Sequence, residues 1–292
     1  MFRVTVTHGN QAYSVPHVSH VPFTLAEGKE IVIQGVTSHH ANNFLVSLSV
    51  GRDHNSETPF CFNPRFDQNE VVRNHNSNGW GSEEKHGGFP FYKGSPYEIK
   101  IVVRHHGYQV FVNNNYFCDF NHRLSKESVR HLYIEGDTSV NRISFFDVVS
   151  CPNVPFHIPV HGEVHPGREF VITGVPTGQE RFNVNLLCGG HNIDHHDVAL
   201  TFDVRFNFSN CYNEVVRTHK AGGGWGAEEK HQSYFPFSAN VPFEIVILVE
   251  HHGFKISVNN QHFVDFNHRI HPIQRISHLS VDGQVRLTQV KV

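Results

Sequence analysis

Three neighbouring stretches of the sequence decide its fold and its chemistry: Phe62-Asn-Pro-Arg-Phe66, Val71-Val-Arg-Asn74 and Gly79-Trp-Gly-Ser-Glu-Glu-Lys85. The first two are extended runs that present Asn63, Arg65 and Asn74. In the third, Trp80 stands between glycines, with a carboxylate and an ammonium just behind it. An aromatic ring surrounded by amides, a guanidinium and opposite charges suits a small polyol with one apolar face, because the ring stacks on C–H groups while polar groups recognise hydroxyls.

The chain contains an internal repeat. Three segments return in order: Val102–Asn114 as Leu248–Asn260, Asp119-Phe-Asn-His-Arg123 as Asp265-Phe-Asn-His-Arg269, and Gly79–His86 as Gly224–His231. Each copy has roughly 140 residues, which is the size of one domain. We therefore predict two domains, residues 1–150 and 151–292, joined by a short proline-containing segment.

The hydrophobic pattern within each copy predicts an all-β fold. Runs such as Glu30–Gln34, Asn43–Val50 and Tyr108–Val112 are short, alternate with a period of two and are bounded by turn residues. No segment keeps a helical period over three turns, and His105-His-Gly107 and Asn113-Asn-Asn115 are typical of hairpin turns. Many short strands without crossover helices predict antiparallel sheets packed as a jelly-roll-like β-sandwich in each copy.

The three stretches of the first copy resemble the signature of galectins, the β-galactoside-binding lectins. That signature reads approximately His-Phe-Asn-Pro-Arg-Phe, then Val-x-Asn, then Trp-Gly-x-Glu-x-Arg, and several separated motifs match it in order. The resemblance implies two concanavalin-A-like carbohydrate-recognition domains in tandem. It implies a carbohydrate-binding site formed by six residues of the first copy, namely Asn63, Arg65, Asn74, Trp80, Glu83 and Lys85.

The resemblance also gives these residues roles. Arg65, held by Glu83, would contact the sugar ring oxygen and the axial hydroxyl, with Asn63 beside that hydroxyl and Asn74 near the exocyclic one. Lys85 stands where the family usually has arginine, so contacts to a second sugar should be weaker. Cys61 stands where the family usually has the histidine that binds the galactose 4-hydroxyl. Because cysteine is a poor hydrogen-bonding group, we predict weaker binding or an altered sugar preference.

The second copy keeps part of this set and changes the rest. Four site residues are retained: Arg205, Trp225, Glu228 and Lys230. Three positions differ from the signature, with Thr201 for histidine, Asp203 for asparagine and Thr218 for asparagine. Asp203 is expected to pair with Arg205 and occupy it, and four added residues are expected to lengthen the loop from Phe206 to Glu214. The second copy is therefore a divergent site, for a different glycan or for none.

Composition restricts the partners. The formal charge of −3 does not favour nucleic acid. Five cysteines, an odd number, predict free thiols in a reducing compartment. The stretch Met1–Asn10 alternates polar and apolar residues and lacks the apolar core of a signal peptide, and no run is long enough to span a bilayer. We expect a cytoplasmic protein without membrane insertion. The resemblance adds the possibility of non-classical secretion to the extracellular space.

Two other functions remain open from the sequence. A galectin-fold module that has abandoned sugar for a protein partner fits the changes in the second copy. A glycosidase would need two carboxylates facing one cleft, whereas Glu83-Glu84 and Glu228-Glu229 alternate faces and leave one carboxylate per site. No catalytic motif is present, so we predict that the chain is not an enzyme.

The 26 histidines are expected to be turn and surface residues. No metal and no cofactor is predicted, because every expected contact is a hydrogen bond or a stacking face.

Overall fold

The computed structural model describes residues 12–53 and 55–292, and the stretch Met1–Asn10 considered above lies outside them. The chain divides into two compact units between Phe146 and Asp147. Each unit contains two antiparallel sheets with a hydrophobic core between them. The prediction of two antiparallel β-sandwiches in an all-β chain is confirmed.

The strands of the first unit are β1 (His17–His20), β2 (Lys29–Thr37), β3 (Phe44–Ser49), β4 (Thr58–Arg65), β5 (Glu70–Asn76), β6 (Pro96–Val103), β7 (Gly107–Val112), β8 (Asn115–Asn121), β9 (His131–Gly136) and the start of β10 (Thr138–Ser150). One sheet, which we call the front sheet of this unit, has the order β1-β9-β3-β4-β5. The other, the back sheet, has the order β10-β2-β6-β7-β8.

The strands of the second unit are β11 (Phe156–Pro159), β12 (Glu169–Pro176), β13 (Arg181–Cys188), β14 (Asp197–Phe208), β15 (Cys211–Ala221), β16 (Gly224–Trp225), β17 (Phe243–Val249), β18 (Gly253–Val258), β19 (Gln261–Asn267), β20 (Ile276–Gly283) and β21 (Val285–Lys291). Its front sheet has the order β11-β20-β13-β14-β15-β16, and its back sheet the order β21-β12-β17-β18-β19. Within the described residues, helical structure is confined to two short 3-10 helices, Lys126–Ser128 and Ile273–Arg275.

Alternation along β4 explains how the first unit presents its polar residues. Phe60 and Phe62 are fully buried, and Phe60 stacks on Tyr108 of the back sheet with ring centroids 4.9 Å apart. Burying one such aromatic side chain contributes about 1.5–3 kcal/mol. Because successive side chains of a strand point to opposite faces, the core fixes Asn63 and Arg65 on the outer face of the front sheet.

The second unit repeats this arrangement on β14. Phe202 and Val204 are fully buried in its core, while Asp203 between them faces outward on the front sheet. Phe182 stacks on Phe243 of the back sheet with ring centroids 5.0 Å apart. The same alternation therefore brings the changed residues of the second copy to the position of the polar residues in the first.

The predicted hairpin turns are confirmed. Asn113 and Asn114 connect β7 to β8 with φ angles of 51° and 65°. Asn259 and Asn260 connect β18 to β19 with φ angles of 50° and 66°. Asparagine tolerates this left-handed region better than most residues, which is why paired asparagines suit two-residue hairpin loops.

The four added residues of the second copy do not lengthen a loop, so that expectation is wrong. They extend the β14–β15 hairpin, in which Asn207 pairs with Tyr212 and Phe208 with Cys211. Ser209 and Asn210 form the turn with φ angles of 52° and 62°. The inserted residues alternate in the pattern of a strand, and the ladder hydrogen bonds satisfy their backbone groups.

All five cysteines lie in the described residues and are free. Cys61, Cys118, Cys188 and Cys211 are buried, and Cys151 is exposed. The prediction of free thiols is confirmed. In the described part of the chain no helix is long and apolar enough to cross a membrane.

Candidate functional site

Cross-strand register brings the polar residues of β4 and β5 into one row on the front sheet of the first unit. Cys61 pairs with Asn74, and Asn63 pairs with Val72. Residues paired across an antiparallel ladder project to the same face. Arg65, two residues beyond Asn63, therefore continues the row, and one strand pair supplies most of the polar side chains named by the sequence pattern.

A chain of ion pairs fixes the guanidinium of Arg65. Its Nε donates to Asn63 Oδ1 at 2.8 Å, and its Nη2 donates to Glu83 Oε1 at 3.0 Å. Lys85 Nζ lies 3.0 Å from Glu83 Oε2 and 3.5 Å from Glu70 Oε2. The hydrogen bond from Lys85, with further help from Arg65, lowers the pKa of Glu83, so this carboxylate is charged at neutral pH. The side chains are thus oriented before any ligand arrives.

The two asparagines of the row are also fixed, and each keeps capacity for a ligand. Asn63 Nδ2 donates to the Phe44 carbonyl at 2.6 Å. Asn74 Nδ2 donates to the Gly81 carbonyl at 2.8 Å, and Asn74 Oδ1 accepts from the His75 amide at 2.8 Å. A carboxamide has two N–H donors and two acceptor lone pairs. Each asparagine therefore has one remaining N–H in a preset orientation.

Trp80 forms one wall of a cleft over this row. The side chain is 48% exposed, which is unusual for so large an apolar ring. The cleft has a volume of about 320 Å³, and it is lined by Leu45, Cys61, Asn63, Arg65, Val72, Asn74, Trp80 and Glu83. A single concave site therefore unites five of the six predicted residues, and Lys85 stands behind them against Glu83.

Cys61 lies in the floor of the cleft and is 5% exposed. Burial raises the pKa of its thiol to about 11, and the hydrogen bond with Ser47 opposes this only in part. The group is therefore a neutral thiol at pH 7. A thiol is a weak donor and a weak acceptor, so the floor of the cleft has little to offer a hydroxyl at this point.

The second unit holds its arginine by the same contacts. Arg205 Nε donates to Asp203 Oδ2 at 2.7 Å, and Arg205 Nη2 lies 3.5 Å from Glu228 Oε1. Lys230 Nζ lies 3.0 Å from Glu228 Oε2. Trp225 is 53% exposed, as Trp80 is in the first unit. The four retained residues therefore reproduce the arrangement of their counterparts.

The expectation that Asp203 would occupy Arg205 needs revision. Asp203 does pair with Arg205, but Asn63 contacts the Nε of Arg65 at nearly the same distance. The aspartate adds a negative charge to that contact, and the distance from Nε to the side-chain oxygen is 2.7 Å against 2.8 Å in the first unit. Arg205 is more enclosed for another reason: its Nη1 contacts Cys211 Sγ at 3.3 Å, and its guanidinium carbon lies 5.8 Å from the centre of the Phe208 ring.

Thr218 retains one part of the role of Asn74. Its hydroxyl donates to the Gly226 carbonyl at 3.0 Å, where Asn74 donates to Gly81. Thr201 lies opposite Thr218 in the ladder. Among the described side chains, the hydroxyl of Thr201 and the Oδ1 atom of Asp203 are buried without a hydrogen-bond partner.

Two residues of the second front sheet escaped the sequence interpretation. Asn183 lies opposite Asp203 and Asn185 opposite Thr201 on β13. Asn185 Nδ2 donates to Asn183 Oδ1 at 2.7 Å and to Ser280 Oγ at 3.1 Å. The first unit has Leu45 and Ser47 in the matching segment, Phe-Leu-Val-Ser against Phe-Asn-Val-Asn. The difference between the two copies at these positions is the sequence signal that identifies Asn183 and Asn185.

Histidines gather at one edge of the second front sheet. The rings of His157 and His191 stack with centroids 4.6 Å apart, and His278 lies 6.2 Å from His191. Burial, together with nearby histidines, lowers the pKa of His278. Among residues 12–53 and 55–292, no group of three or more histidine, cysteine or acidic residues has the geometry to hold a metal ion.

Comparisons with known proteins show the family of the chain. The family of galactoside-binding lectins matches residues 16–145 and again residues 155–292. Human galectin-4 is 32% identical over 316 aligned positions, which cover 96% of this chain and 95% of galectin-4. A 32 kDa beta-galactoside-binding lectin of Caenorhabditis elegans is 29% identical and covers 97% of this chain and 98% of its own length. Human galectin-16 R55N, a solved structure, is 26% identical with a TM-score of 0.43 over 47% of this chain and 98% of its own.

Two β-sandwiches that each present an exposed tryptophan above a fixed arginine–glutamate pair define a sugar-binding protein of the lectin type. The chain belongs to the galectin family, with two galactoside-binding lectin domains in tandem. Its relatives are lectins and not enzymes, which confirms the prediction that this chain is not an enzyme.

Proposed function

We propose that the first unit binds β-galactoside-containing glycans of glycoproteins or glycolipids in the cleft beside Trp80. The observation that carries this proposal is the prearranged row of hydrogen-bonding groups under a half-exposed indole. The indole stacks on the C–H face of the sugar. Arg65, fixed by Glu83, reaches the ring oxygen and the axial hydroxyl. A wrong epimer would leave these groups unpaired, which gives the site its selectivity.

The remaining residues complete this assignment. Asn63 directs its free N–H to the axial hydroxyl, and Asn74 directs its own to the exocyclic hydroxyl. Lys85, held by two glutamates, contacts a second sugar as a point charge and not as a planar fork. Cys61 replaces a good hydrogen-bonding group by a neutral thiol, so the affinity is lower than the rest of the site would provide.

The second unit is proposed to be a divergent site built around Arg205, Trp225, Glu228 and Lys230. It differs from the first by the negative charge of Asp203 and by the hydroxyl groups of Thr201 and Thr218. Two unlike sites on one chain allow the protein to crosslink different glycans. The second function that the observations favour is a protein-binding role of this unit, since three positions of its site differ from the signature, with Thr201, Asp203 and Thr218 in place of histidine and two asparagines.

The domain limits of residues 1–150 and 151–292 are part of the proposal. They differ by four residues from the division between the compact units, because β10 runs from Thr138 to Ser150. We propose that the protein is cytoplasmic and that it also reaches the extracellular space by a non-classical route. Neither site needs a metal, because the proposed contacts are hydrogen bonds and stacking.

The test is a glycan array with the intact protein, Trp80→Ala and Trp225→Ala. Tyr116→Ala is the matched control, because Tyr116 is an exposed aromatic residue on the back sheet of the first unit. Galactoside binding that is lost with Trp80→Ala alone, and is competed by free lactose, supports the assignment. Loss with Trp225→Ala alone would reverse the order of the two sites. An array without signal for the folded intact protein would leave the protein-binding role.

A further inference from the structure

The repeated motif Asp-Phe-Asn-His-Arg has no place in the site described so far. It ends β8 and β19 of the two back sheets and closes with Arg123 and Arg269. Each of these arginines leaves its own sheet and reaches the loop that follows the exposed tryptophan. The motif is therefore a contact between the back sheet and the part of the front sheet that carries the stacking face.

In the first unit, Arg123 contacts this loop at two points and β5 at a third. Its Nη1 donates to the Ser82 carbonyl at 2.6 Å and lies 3.3 Å from His75 Nδ1. Its Nη2 donates to Glu84 Oε1 at 2.6 Å. The guanidinium also stacks on Phe120, with its carbon 4.7 Å from the ring centre. Hydrogen bonds between ionised partners are among the strong ones in proteins, so the loop is held firmly.

The second unit repeats each of these contacts. Arg269 Nη1 donates to the Ala227 carbonyl at 2.6 Å and lies 3.4 Å from His219 Nδ1. Its Nη2 donates to Glu229, and its guanidinium carbon lies 4.6 Å from the centre of the Phe266 ring. We call this set of contacts, made by Arg123 in the first unit and by Arg269 in the second, the clamp. The two units differ at several sugar-site positions but share the clamp. The clamp therefore serves a feature that both sites keep, and it holds the loop that directly follows the exposed tryptophan.

His75 connects the clamp to the tryptophan and to the polar row. A methyl group on Gly81 would lie 2.1 Å from His75 Cε1, so the imidazole packs directly against the residue after Trp80. The Gly81 amide donates to the His75 carbonyl at 3.0 Å. The His75 amide donates in turn to Asn74 Oδ1. Displacement of the imidazole would disturb the stacking face and the amide of Asn74 together.

The geometry also assigns a protonation state. Arginine can only donate, so His75 Nδ1 accepts from Arg123 and carries no proton in this contact. Burial, and then the charge of Arg123, lower the pKa of His75. Arg123 contacts the imidazole through Nη1, and Glu84 accepts a hydrogen bond from Nη2 of the same guanidinium. Protonated His75 would oppose a second cation at hydrogen-bonding distance.

We infer that Arg123 and Arg269 are positioning residues for the tryptophan of each sugar site. The neutral imidazoles of His75 and His219 connect each arginine to the glycine that follows the tryptophan. This inference rests on the proposed function for its ligand. It predicts that affinity for sugar weakens in acid, as the imidazole gains a proton and is driven from Arg123.

The test uses the full chain carrying Trp225→Phe, so that Trp80 is the sole tryptophan. Arg123→Gln should weaken lactose binding roughly tenfold and leave Trp80 more open to a soluble quencher. Arg123→Lys should rescue part of the loss, because an ammonium keeps the charge but cannot span both partners. Arg130→Gln, in the same unit but bonded to Glu127 and Val129 carbonyls, is the matched control and should change neither readout.

A pH profile separates positioning from a purely structural role. Lactose affinity of the parent should fall as the pH drops below about 6.5, because the pKa of His75 is lowered, and His75→Asn, which keeps an acceptor near the Nδ1 position, should flatten that fall. Arg123→Gln with an unchanged affinity and unchanged quenching of Trp80 would overturn the inference, even if its melting temperature fell. Failure of the parent to bind lactose would refute the proposed function instead, and the quenching of Trp80 would still decide the inference.

Discussion

The replacement Cys61→His should strengthen binding of lactose at the first site. Cys61 lies in the cleft floor between Asn63 and Asn74 and offers only a weak hydrogen-bonding group, since its pKa of about 11 keeps the thiol neutral. The imidazole has room, because its neighbours across the ladders are the short side chains of Ser47 and Asn74. The new side chain would project into a cleft of about 320 Å³.

The size of the gain follows from one added hydrogen bond. A neutral hydrogen bond contributes about 0.5–1.5 kcal/mol net. Each 1.4 kcal/mol is a factor of ten in affinity, so Cys61→His should lower the Kd for lactose by about two- to tenfold. Cys61→Ser is a useful intermediate, because its hydroxyl is a better partner than a thiol at similar size. Cys61→Ala should leave the Kd nearly unchanged, since it removes a group that contributes little.

The assay is a calorimetric titration of lactose into the Trp225→Ala protein with and without each replacement at Cys61. Urea unfolding of the same proteins shows whether the first unit remains folded. A folded Cys61→His protein with an unchanged or higher Kd would refute the reasoning. It would mean that the 4-hydroxyl of the sugar does not lie over Cys61, and that the cleft holds its ligand in another orientation.

Three further predictions concern charge. Glu83→Gln removes the carboxylate that pairs with Arg65 and Lys85, so it should weaken lactose binding about tenfold in titration calorimetry. The free energy of unfolding should fall by less than about 1 kcal/mol, because both ion pairs are partly exposed. The control, Glu228→Gln, should leave lactose binding at the first site unchanged. His278 has a lowered pKa, so the unfolded state binds its proton more tightly, and the free energy of unfolding of the second unit should fall as pH drops below about 6.5; urea unfolding of His278→Gln should show a smaller fall. Arg73→Met should lower the melting temperature less than Arg217→Met does. Arg73 has two buried side-chain nitrogens without a hydrogen-bond partner among the described residues, whereas Arg217 has one, so the native state loses less when Arg73 is replaced. An equal loss of stability in the two proteins would contradict this reasoning.

Sequence alone predicted those parts of the fold that local chemistry determines. Phe60 and Phe62 alternate with Cys61 and Asn63, so one face of β4 had to be core and the other surface. The turn at Asn113 needs left-handed backbone that asparagine tolerates. The β14–β15 hairpin differs from the expected loop because the inserted residues continue the strand pairing, with Asn207 opposite Tyr212, up to a two-residue turn at Ser209 and Asn210.

The sequence does not predict contacts between residues that lie far apart in the chain. Arg123 meets Glu84 across 39 positions, and Asn185 meets Ser280 across 95. Neither pair shares a periodic pattern or a motif, since each depends on how one sheet or one loop lies on another. The repeat did mark Arg123 and Arg269 as a matched pair, but their role became visible only with the distances.

The two units indicate where specificity resides. Asn63 and Asp203 both contact the Nε of the neighbouring arginine, and the tryptophan loop is clamped alike in both copies. These shared contacts set the position of the arginine and the indole, so they cannot distinguish one sugar from another between the units. Most of the differences lie on the β13–β14 side, where Asn183, Asn185 and Thr201 replace Leu45, Ser47 and Cys61, and one further difference, Thr218 for Asn74, lies on β15. Exchange of residues on that side should therefore change which glycan is preferred, whereas exchange on the tryptophan side should change how tightly any glycan is held.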